Sequence, residues 1–315
     1  MAGTRESQDV IIIGAGPAGL TAALYAGRAL LSTTVLEKAI PGGQLNETDQ
    51  IENWPGFEHA IAAPELMASL RKQVERFGAQ FVQDEVVRIE PGTSAHTVVT
   101  PRTSFDARAI ILAPGSRPRE LPAEGVGRLK GKGLSYCATC DGFFFQGKRI
   151  VEVGAGDSGL TEALFLTRFV ESISIVVRHP ADDPRAIRGS AILRRRAEEH
   201  PKIEFLWNCR VDEVLGDDRV TGVRLRNLAS NETSVFETDG VFVNIGHNPQ
   251  TEFLHGIVDL DEDGYIVTDE CLRTNVSGVF AAGDARVFAH RYAQGVVAAG
   301  EGAIAAIEAE KYISG

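Results

Sequence analysis

Cys137 and Cys140 stand two residues apart in Tyr136-Cys137-Ala138-Thr139-Cys140-Asp141. At that spacing two thiols can close a small disulfide loop and exchange electrons with another disulfide. Zinc ligation and inert thiols are the other readings of such a pair. Structural zinc normally takes a second ligand pair at similar spacing, which the sequence lacks, so no metal site is expected. Asp141 has two readings: a general acid for a leaving thiolate, which requires a raised pKa in a partly desolvated setting, or a helix cap. Cys137, Cys140 and Asp141 are the candidate catalytic residues.

Two glycine-rich turns flank this dithiol. The first, Gly14-Ala15-Gly16-Pro17-Ala18-Gly19, follows the apolar run Val10-Ile11-Ile12-Ile13 and opens an alanine-rich stretch, Pro17 to Leu30, read as a helix. Gly14 permits a tight bend, Gly16 lets the backbone approach a pyrophosphate, and Gly19 lets helix and strand pack closely. The helix start supplies amide donors and partial positive charge. Glu37, directly after a second strand at Thr33 to Leu36, is placed to accept from ribose hydroxyls.

The second turn, Gly154-Ala155-Gly156-Asp157-Ser158-Gly159, repeats the unit, with Arg149 to Val153 and Ser172 to Val177 as strands and Leu160 to Val170 as helix. Here Arg178 follows the second strand. An arginine at that place can pair with a 2′-phosphate, but His179 comes next and Arg185 lies beyond an Ala-Asp-Asp-Pro insertion that adds negative charge. A dinucleotide is expected at this turn, with NADPH and a second FAD both open.

Gln80 to Ile89 and His96 to Thr100 alternate like antiparallel strands, Ala109 to Pro114 is an apolar strand, and Pro118, Pro122 and Gly125 mark a crossing between domains. Gly240 to Ile245 precedes Gly246-His247-Asn248-Pro249, and Gly278 to Asp284 precedes a closing alanine-rich helix. The expected class is α/β: two Rossmann-like dinucleotide-binding domains, each a parallel sheet with added antiparallel strands. The first domain comprises residues 1–116 and 248–315, and the inserted one residues 117–247.

With 315 residues, 43% hydrophobic and 24% charged, the chain can bury a full core. A formal net charge of -11 disfavours nonspecific nucleic-acid or anionic-membrane binding. The polar opening Met1 to Asp9 has no apolar signal-peptide core and no apolar run reaches roughly 20 residues, so a cytoplasmic location is expected, with no membrane and no nucleic acid among its partners. Cys209 and Cys271 are isolated and expected to be buried, inert thiols. Arg194-Arg195-Arg196 reads as a solvated helical face, with an acidic-partner patch as the alternative.

Taken in order, the motifs resemble the low-molecular-weight thioredoxin reductases over essentially the whole chain. The resemblance is carried by Gly42-Gly43-Gln44-Leu45, Glu52-Asn53-Trp54-Pro55-Gly56, Ser135 to Phe144 and Gly278 to Asp284. It implies an FAD held by Gly14, Gly16, Pro17, Ala18, Glu37, Lys38, Gly43, Gln44, Leu45, Asn53, Ala113, Gly115, Gly283, Asp284, Gln294, Gly295 and Val296, with Asp284 on the ribityl chain. It places Cys140 against the flavin with Cys137 as its partner, and a second dinucleotide at Gly154, Gly156, Asp157, Ser158, Gly159, Arg178, His179, Arg185 and Gly246. It also implies a homodimer, a domain rotation that alternately shows the dithiol to flavin and substrate, and a thioredoxin-like protein disulfide as acceptor.

Four positions depart from the family pattern. Val177-Arg178-His179 stands where a His-Arg-Arg triplet holds the 2′-phosphate, Gly159 where an alanine closes the turn, Ala293-Gln294 for Arg-Gln, and Pro114 for the threonine of Ala-Thr-Gly. They leave the electron donor open between NADPH, ferredoxin and another carrier. The leading expectation is an FAD-dependent disulfide reductase. A flavin-dependent dithiol oxidase and a flavin redox sensor without turnover stand as alternatives.

Overall fold

A computed structural model describes residues 5–47, 50, 51 and 53–315. The opening residues Met1 to Thr4, and Glu52 of the Glu52 to Gly56 motif, lie outside the described residues. The chain divides into two compact units, Met1–Arg117 with Asn248–Gly315, and Pro118–His247.

The first unit is built on the strand Arg5–Ile13. It pairs in parallel with Thr33–Glu37 on one side and Ser104–Leu112 on the other. Side chains alternate across it: Val10 and Ile12 join one core, Ile11 and Ile13 the other. With both faces covered, every position favours an apolar residue, which is why the run is unbroken. The helices Pro17–Arg28, Ala63–Arg76 and Gly295–Ser314 lie in the first core layer. Ser104–Leu112 takes two partners along its far edge, His96–Val99 antiparallel and then Val279–Ala281 parallel.

The stretch Gln80 to Ile89 is not one antiparallel strand. Gln80–Gln83 pairs in parallel with Thr33–Glu37, closing a βαβ crossover through Ala63–Arg76, and only Arg88–Glu90 runs antiparallel, against His96–Val99. Alternation alone marks a half-covered strand and carries no information on its partner's direction.

The second unit repeats the plan. Five parallel strands run in the order Leu134–Ser135, Gly240–Val243, Arg149–Val153, Ser172–Val176, Ile203–Leu206. An antiparallel meander, Cys209–Leu215, Gly222–Asn227 and Thr233–Glu237, packs on one face through Val211, Val223 and Leu225. The helix Asp157–Leu166 packs on the other through Leu160, Ala163 and Leu166. The architecture is therefore α/β with two Rossmann-like domains, each a parallel sheet plus antiparallel strands.

Cys209 and Cys271 are half-buried rather than buried. The Cys209 Sγ donates to Trp207 O at 3.1 Å, and burial pushes its thiol up, which keeps it protonated and unreactive at neutral pH. Arg194 and Arg195 pair with Glu198 and Glu199, each 2.9 Å apart and four residues on, so this face of the helix Ala191–Glu198 balances its own charge. Among the described residues no helix is long and apolar enough to cross a membrane.

Candidate active site

The first glycine turn is shaped by a backbone approach that leaves no room for a side chain. Gly14 has φ of +101°, and a Cβ there would lie 2.1 Å from Ala113 O; one on Gly19 would lie 1.8 Å from Gly14 O. The helix Pro17–Arg28 starts directly from this turn with Pro17 in its first position. Glu37 turns back onto it: Ala15 N donates to Oε2 at 2.8 Å and Ala39 N to Oε1 at 2.9 Å. Each oxygen keeps a lone pair for a ribose hydroxyl.

Around this cradle the fold gathers residues far apart in sequence. Gly16 and Gly43 face each other across less than a side chain's width, and Gly283 lies against the Ala18 methyl. Asn53 Nδ2 donates to Gln294 Oε1 at 3.2 Å, Gln44 Nε2 to Ser116 O, and Gly295 sits against Leu45 and Trp54. Gly115, at φ of +73°, accepts from Gln250 N through its carbonyl at 2.9 Å. Lys38 is instead engaged in an exposed pair with Glu85 at 3.5 Å, and Val296 is 39% exposed.

Asp284 is the clearest sign that this site is built for a ligand. Its carboxyl is half-buried, has no hydrogen-bond partner among the described residues, and is pushed up to about 6 by desolvation and then by the charge of Glu301. A desolvated acceptor of this kind fits the hydroxyls of a flavin's ribityl chain, so the donor set and the glycine cradle together fit FAD. Glu301, which sequence reading did not single out, fixes the turn that carries Asp284. It accepts from Gly283 N at 2.9 Å and forms a buried ion pair with Arg286. Its one signal in the sequence was a glutamate within the alanine-rich helix Gly295–Ser314, which also carries Glu308 and Glu310.

The second turn reproduces the first. Gly154 has φ of +127°, with a Cβ position 2.2 Å from Asn244 O, and the Cβ position of Gly159 is 2.3 Å from Gly154 O. Gly156 faces open space, and Ser158 is exposed at the helix start. Asp157 Oδ1 accepts from Ser190 N at 2.8 Å. Gly246, at φ of +107°, packs against Arg119.

Two of the three candidate 2′-phosphate ligands, Arg185 and His179, are already engaged. Arg185 forms a two-pronged pair with Asp183, Nε to Oδ1 at 3.0 Å and Nη2 to Oδ2 at 2.7 Å, and His179 Nδ1 lies 3.4 Å from the same carboxylate. The Arg185 guanidinium, through hydrogen bonds and charge, holds Asp183 well below the usual carboxylate range. Arg178 is exposed and forms no ion pair among the described residues.

Cys137 and Cys140 form a disulfide, with Cα atoms 5.3 Å apart, at the start of the helix Ala138–Asp141. Cys140 N donates to Cys137 Sγ at 3.2 Å, and Thr139 Oγ1 lies 3.4 Å from the same sulfur. Asp141 does not cap the helix: Cys137 N donates to Ser135 Oγ at 3.0 Å, and that hydroxyl donates to Asp141 Oδ2 at 2.5 Å. The geometry suits disulfide exchange, with amide and hydroxyl donors at Cys137 and a carboxyl within one hydroxyl of the loop. Among the described residues no group of three or more His, Cys, Asp or Glu side chains could hold a metal ion.

Residues 8–302 match the family model for pyridine nucleotide-disulphide oxidoreductases. The thioredoxin reductase of Mycolicibacterium smegmatis is 45% identical over 315 residues, covering 100% of this chain and 99% of that protein. The bifunctional thioredoxin reductase/thioredoxin of Mycobacterium leprae is 45% identical over 308 residues, 97% of this chain and 66% of that protein. The crystal structure of thioredoxin reductase from Streptococcus pyogenes superposes with a TM-score of 0.91 at 36% identity, covering 99% of each chain. This chain belongs to the pyridine nucleotide-disulphide oxidoreductases, and it is an oxidoreductase of the low-molecular-weight thioredoxin reductase type.

Proposed function

We propose that the chain passes electrons from a nicotinamide dinucleotide lacking a 2′-phosphate, through FAD, to the Cys137–Cys140 disulfide and on to the disulfide of a thioredoxin-like protein. The observation that carries the reading is that disulfide, set in the same unit as a second dinucleotide cradle. The thioredoxin-like acceptor is supported by the relatives' names, one of which joins a reductase to a thioredoxin in a single chain.

The donor follows from Asp183. A 2′-phosphate is held by arginines that offer it two parallel donors. Here Asp183 already takes both from Arg185 and lies beside His179, so a phosphate would have to displace a carboxylate of its own sign. NADH meets no such competition.

Bound FAD supplies the two-electron carrier between donor and disulfide. The chain's residues do the rest. Gly14 and Gly19 shape the turn, Gly16 lets its backbone approach the pyrophosphate, Glu37 accepts from ribose hydroxyls, and Asp284 accepts from the ribityl chain. Reduction opens the disulfide, and the Cys140 amide and the Thr139 hydroxyl stabilise a thiolate at Cys137, which attacks the substrate disulfide. Asp141 holds the proton for the leaving thiolate, oriented by Ser135. Cys140 then resolves the mixed disulfide.

Anaerobic titration of the flavin absorbance with NADH and with NADPH, followed by addition of thioredoxin, tests this. NADH bleaches the flavin at the lower concentration and thioredoxin restores the absorbance. A preference for NADPH overturns the donor assignment. Bleaching only by reduced ferredoxin removes the nicotinamide, and peroxide formation without thioredoxin reduction identifies a dithiol oxidase.

A further inference from the structure

Glu152 lies inside the strand Arg149–Val153, one residue before its end, and is 0% exposed. Its Oε1 accepts from Asn244 Nδ2 at 2.9 Å, and its Oε2 has no partner. The same Asn244 nitrogen donates to Glu162 Oε2 at 2.7 Å, and that oxygen also accepts from Ala138 N at 3.0 Å. Ala138 lies between the two cysteines at the start of the dithiol helix. Two carboxyls are thus tied through one amide, and one of them touches the backbone of the redox loop.

The internal repeat shows that a glycine turn does not need this arrangement. Counting from the first glycine of each turn, Glu152 and Glu162 correspond to Ile12 and Ala22, and Asn244 corresponds to Ala113 by its place in the fold. Asn244 and Ala113 are the residues whose carbonyls meet Gly154 and Gly14. In the first unit all three positions are buried and apolar. The polar trio is therefore an addition specific to the unit that carries the dithiol. Polar groups replacing apolar ones in a core destabilise it unless each is satisfied, and here one oxygen is left without a partner.

The titratable groups that face one another here are all carboxyls. Glu152 faces Glu162, and Glu162 faces Asp141 from the dithiol helix. No cation forms an ion pair with either glutamate among the described residues. Burial, reinforced by the charge of Glu162, raises Glu152 far above the usual range and keeps it protonated. Burial, with a smaller contribution from Asp141, also raises Glu162. Glu162 is half-buried, which gives it a route to solvent protons.

We infer that Glu162, held by Asn244 and Glu152, is a proton-uptake site coupled to the redox state of Cys137–Cys140. The inference rests on the reading that this disulfide turns over. When the disulfide takes two electrons from the reduced flavin, the S–S bond breaks, one sulfur takes a proton and the other stays a thiolate. Its negative charge, added next to the Ala138 amide, draws one solvent proton onto the Glu162 carboxylate. The reaction then consumes two electrons and two protons, one on sulfur and one on carboxyl. Reoxidation by the substrate disulfide removes the thiolate charge and returns the Glu162 proton to solvent. Glu162 is a positioning residue that acts through the loop's charge and does not touch a reacting sulfur.

The test is the equilibrium of Cys137–Cys140 in the holoenzyme against a dithiothreitol redox buffer, read by alkylation and mass spectrometry across the neutral pH range. Each proton taken up changes a two-electron equilibrium tenfold per pH unit, about 30 mV. Glu162→Gln lowers the slope by that amount, while Glu152→Gln, which copies the protonated state, leaves it unchanged. A purely structural role shifts the potential of Glu162→Gln uniformly with no change of slope, and that result overturns the inference. Should Glu162→Gln fail to fold, the infrared difference spectrum of the wild-type protein decides. A protonated-carboxyl band that gains intensity on reduction supports the coupling, and its absence refutes it. A disulfide that no redox buffer opens defeats the proposed function instead, a distinct outcome.

Discussion

At the first turn the carbonyl that crosses the glycine comes from Ala113, the layer behind it is Ile12 and Ala22, and the last residue of the second strand, Glu37, folds back to take two backbone amides. At the second the crossing carbonyl comes from Asn244, the layer behind it is Glu152 and Glu162, and the loop after the second strand pairs Asp183 with Arg185. The backbones of the two cradles are nearly the same. What differs is the charge around them. Backbone geometry fixes that a dinucleotide is bound, while the surrounding side chains fix which one is bound and what the unit does with its electrons.

The sharpest way to break this comparison is to fill each cradle in turn. Gly14→Ala places a methyl 2.1 Å from a carbonyl oxygen at positive φ, and the protein is expected to lose its flavin. Gly154→Ala creates the same clash in the other unit, and its flavin content stays near one per chain by absorbance after denaturation. Dinucleotide-driven bleaching in that variant slows roughly 100-fold, as about 3 kcal/mol of local strain implies. Loss of flavin in both variants alike contradicts separate roles for the two turns.

Asp284→Asn sharpens the flavin side. The carboxyl's pKa is raised from 3.8 to about 6, so the native state holds this proton more tightly than the unfolded chain. Its stabilising contribution is complete below 3.8 and is lost as pH rises through about 6. Above that pH the flavin-free Asp284→Asn protein is expected to be more stable than flavin-free wild type by about 1–3 kcal/mol in urea unfolding. The same variant binds FAD more weakly.

A smaller effect is expected on the donor side. Asp183→Asn releases the Arg185 guanidinium and His179, and NADPH affinity rises about tenfold, the value of one charge-assisted hydrogen bond. NADH affinity, by isothermal titration, stays within about twofold, because neither partner of Asp183 is required by an unphosphorylated ribose. An equal gain for both dinucleotides shows that Asp183 acts as a general negative charge and not as a substitute for the phosphate.

Much of the fold was legible because it is written in strong local patterns. Val10 to Ile13 and Arg149 to Val153 each end in a glycine that no side chain can replace, and Pro17 starts a helix from the first of these turns. The direction of Gln80–Gln83 was not legible, since strand alternation is the same for parallel and antiparallel neighbours. At the site, the disulfide spacing was visible in the sequence, and so was the negative insertion near Arg185. That Asp183 in particular grips Arg185 depended on loop geometry. Glu152 did leave a trace, a charge within an apolar strand, but its meaning lay in Asn244 and Glu162, 92 and 10 residues away, which only folding brings together.

The most direct measurement follows electrons to the sulfurs themselves. The holoenzyme is mixed anaerobically with one equivalent of NADH and quenched with an alkylating agent, and the label on Cys137 and Cys140 is read by mass spectrometry. The account predicts that both cysteines become labelled as the dinucleotide is oxidised, and that neither does in Gly154→Ala on the same timescale. A flavin that bleaches while the Cys137–Cys140 disulfide stays closed would contradict it.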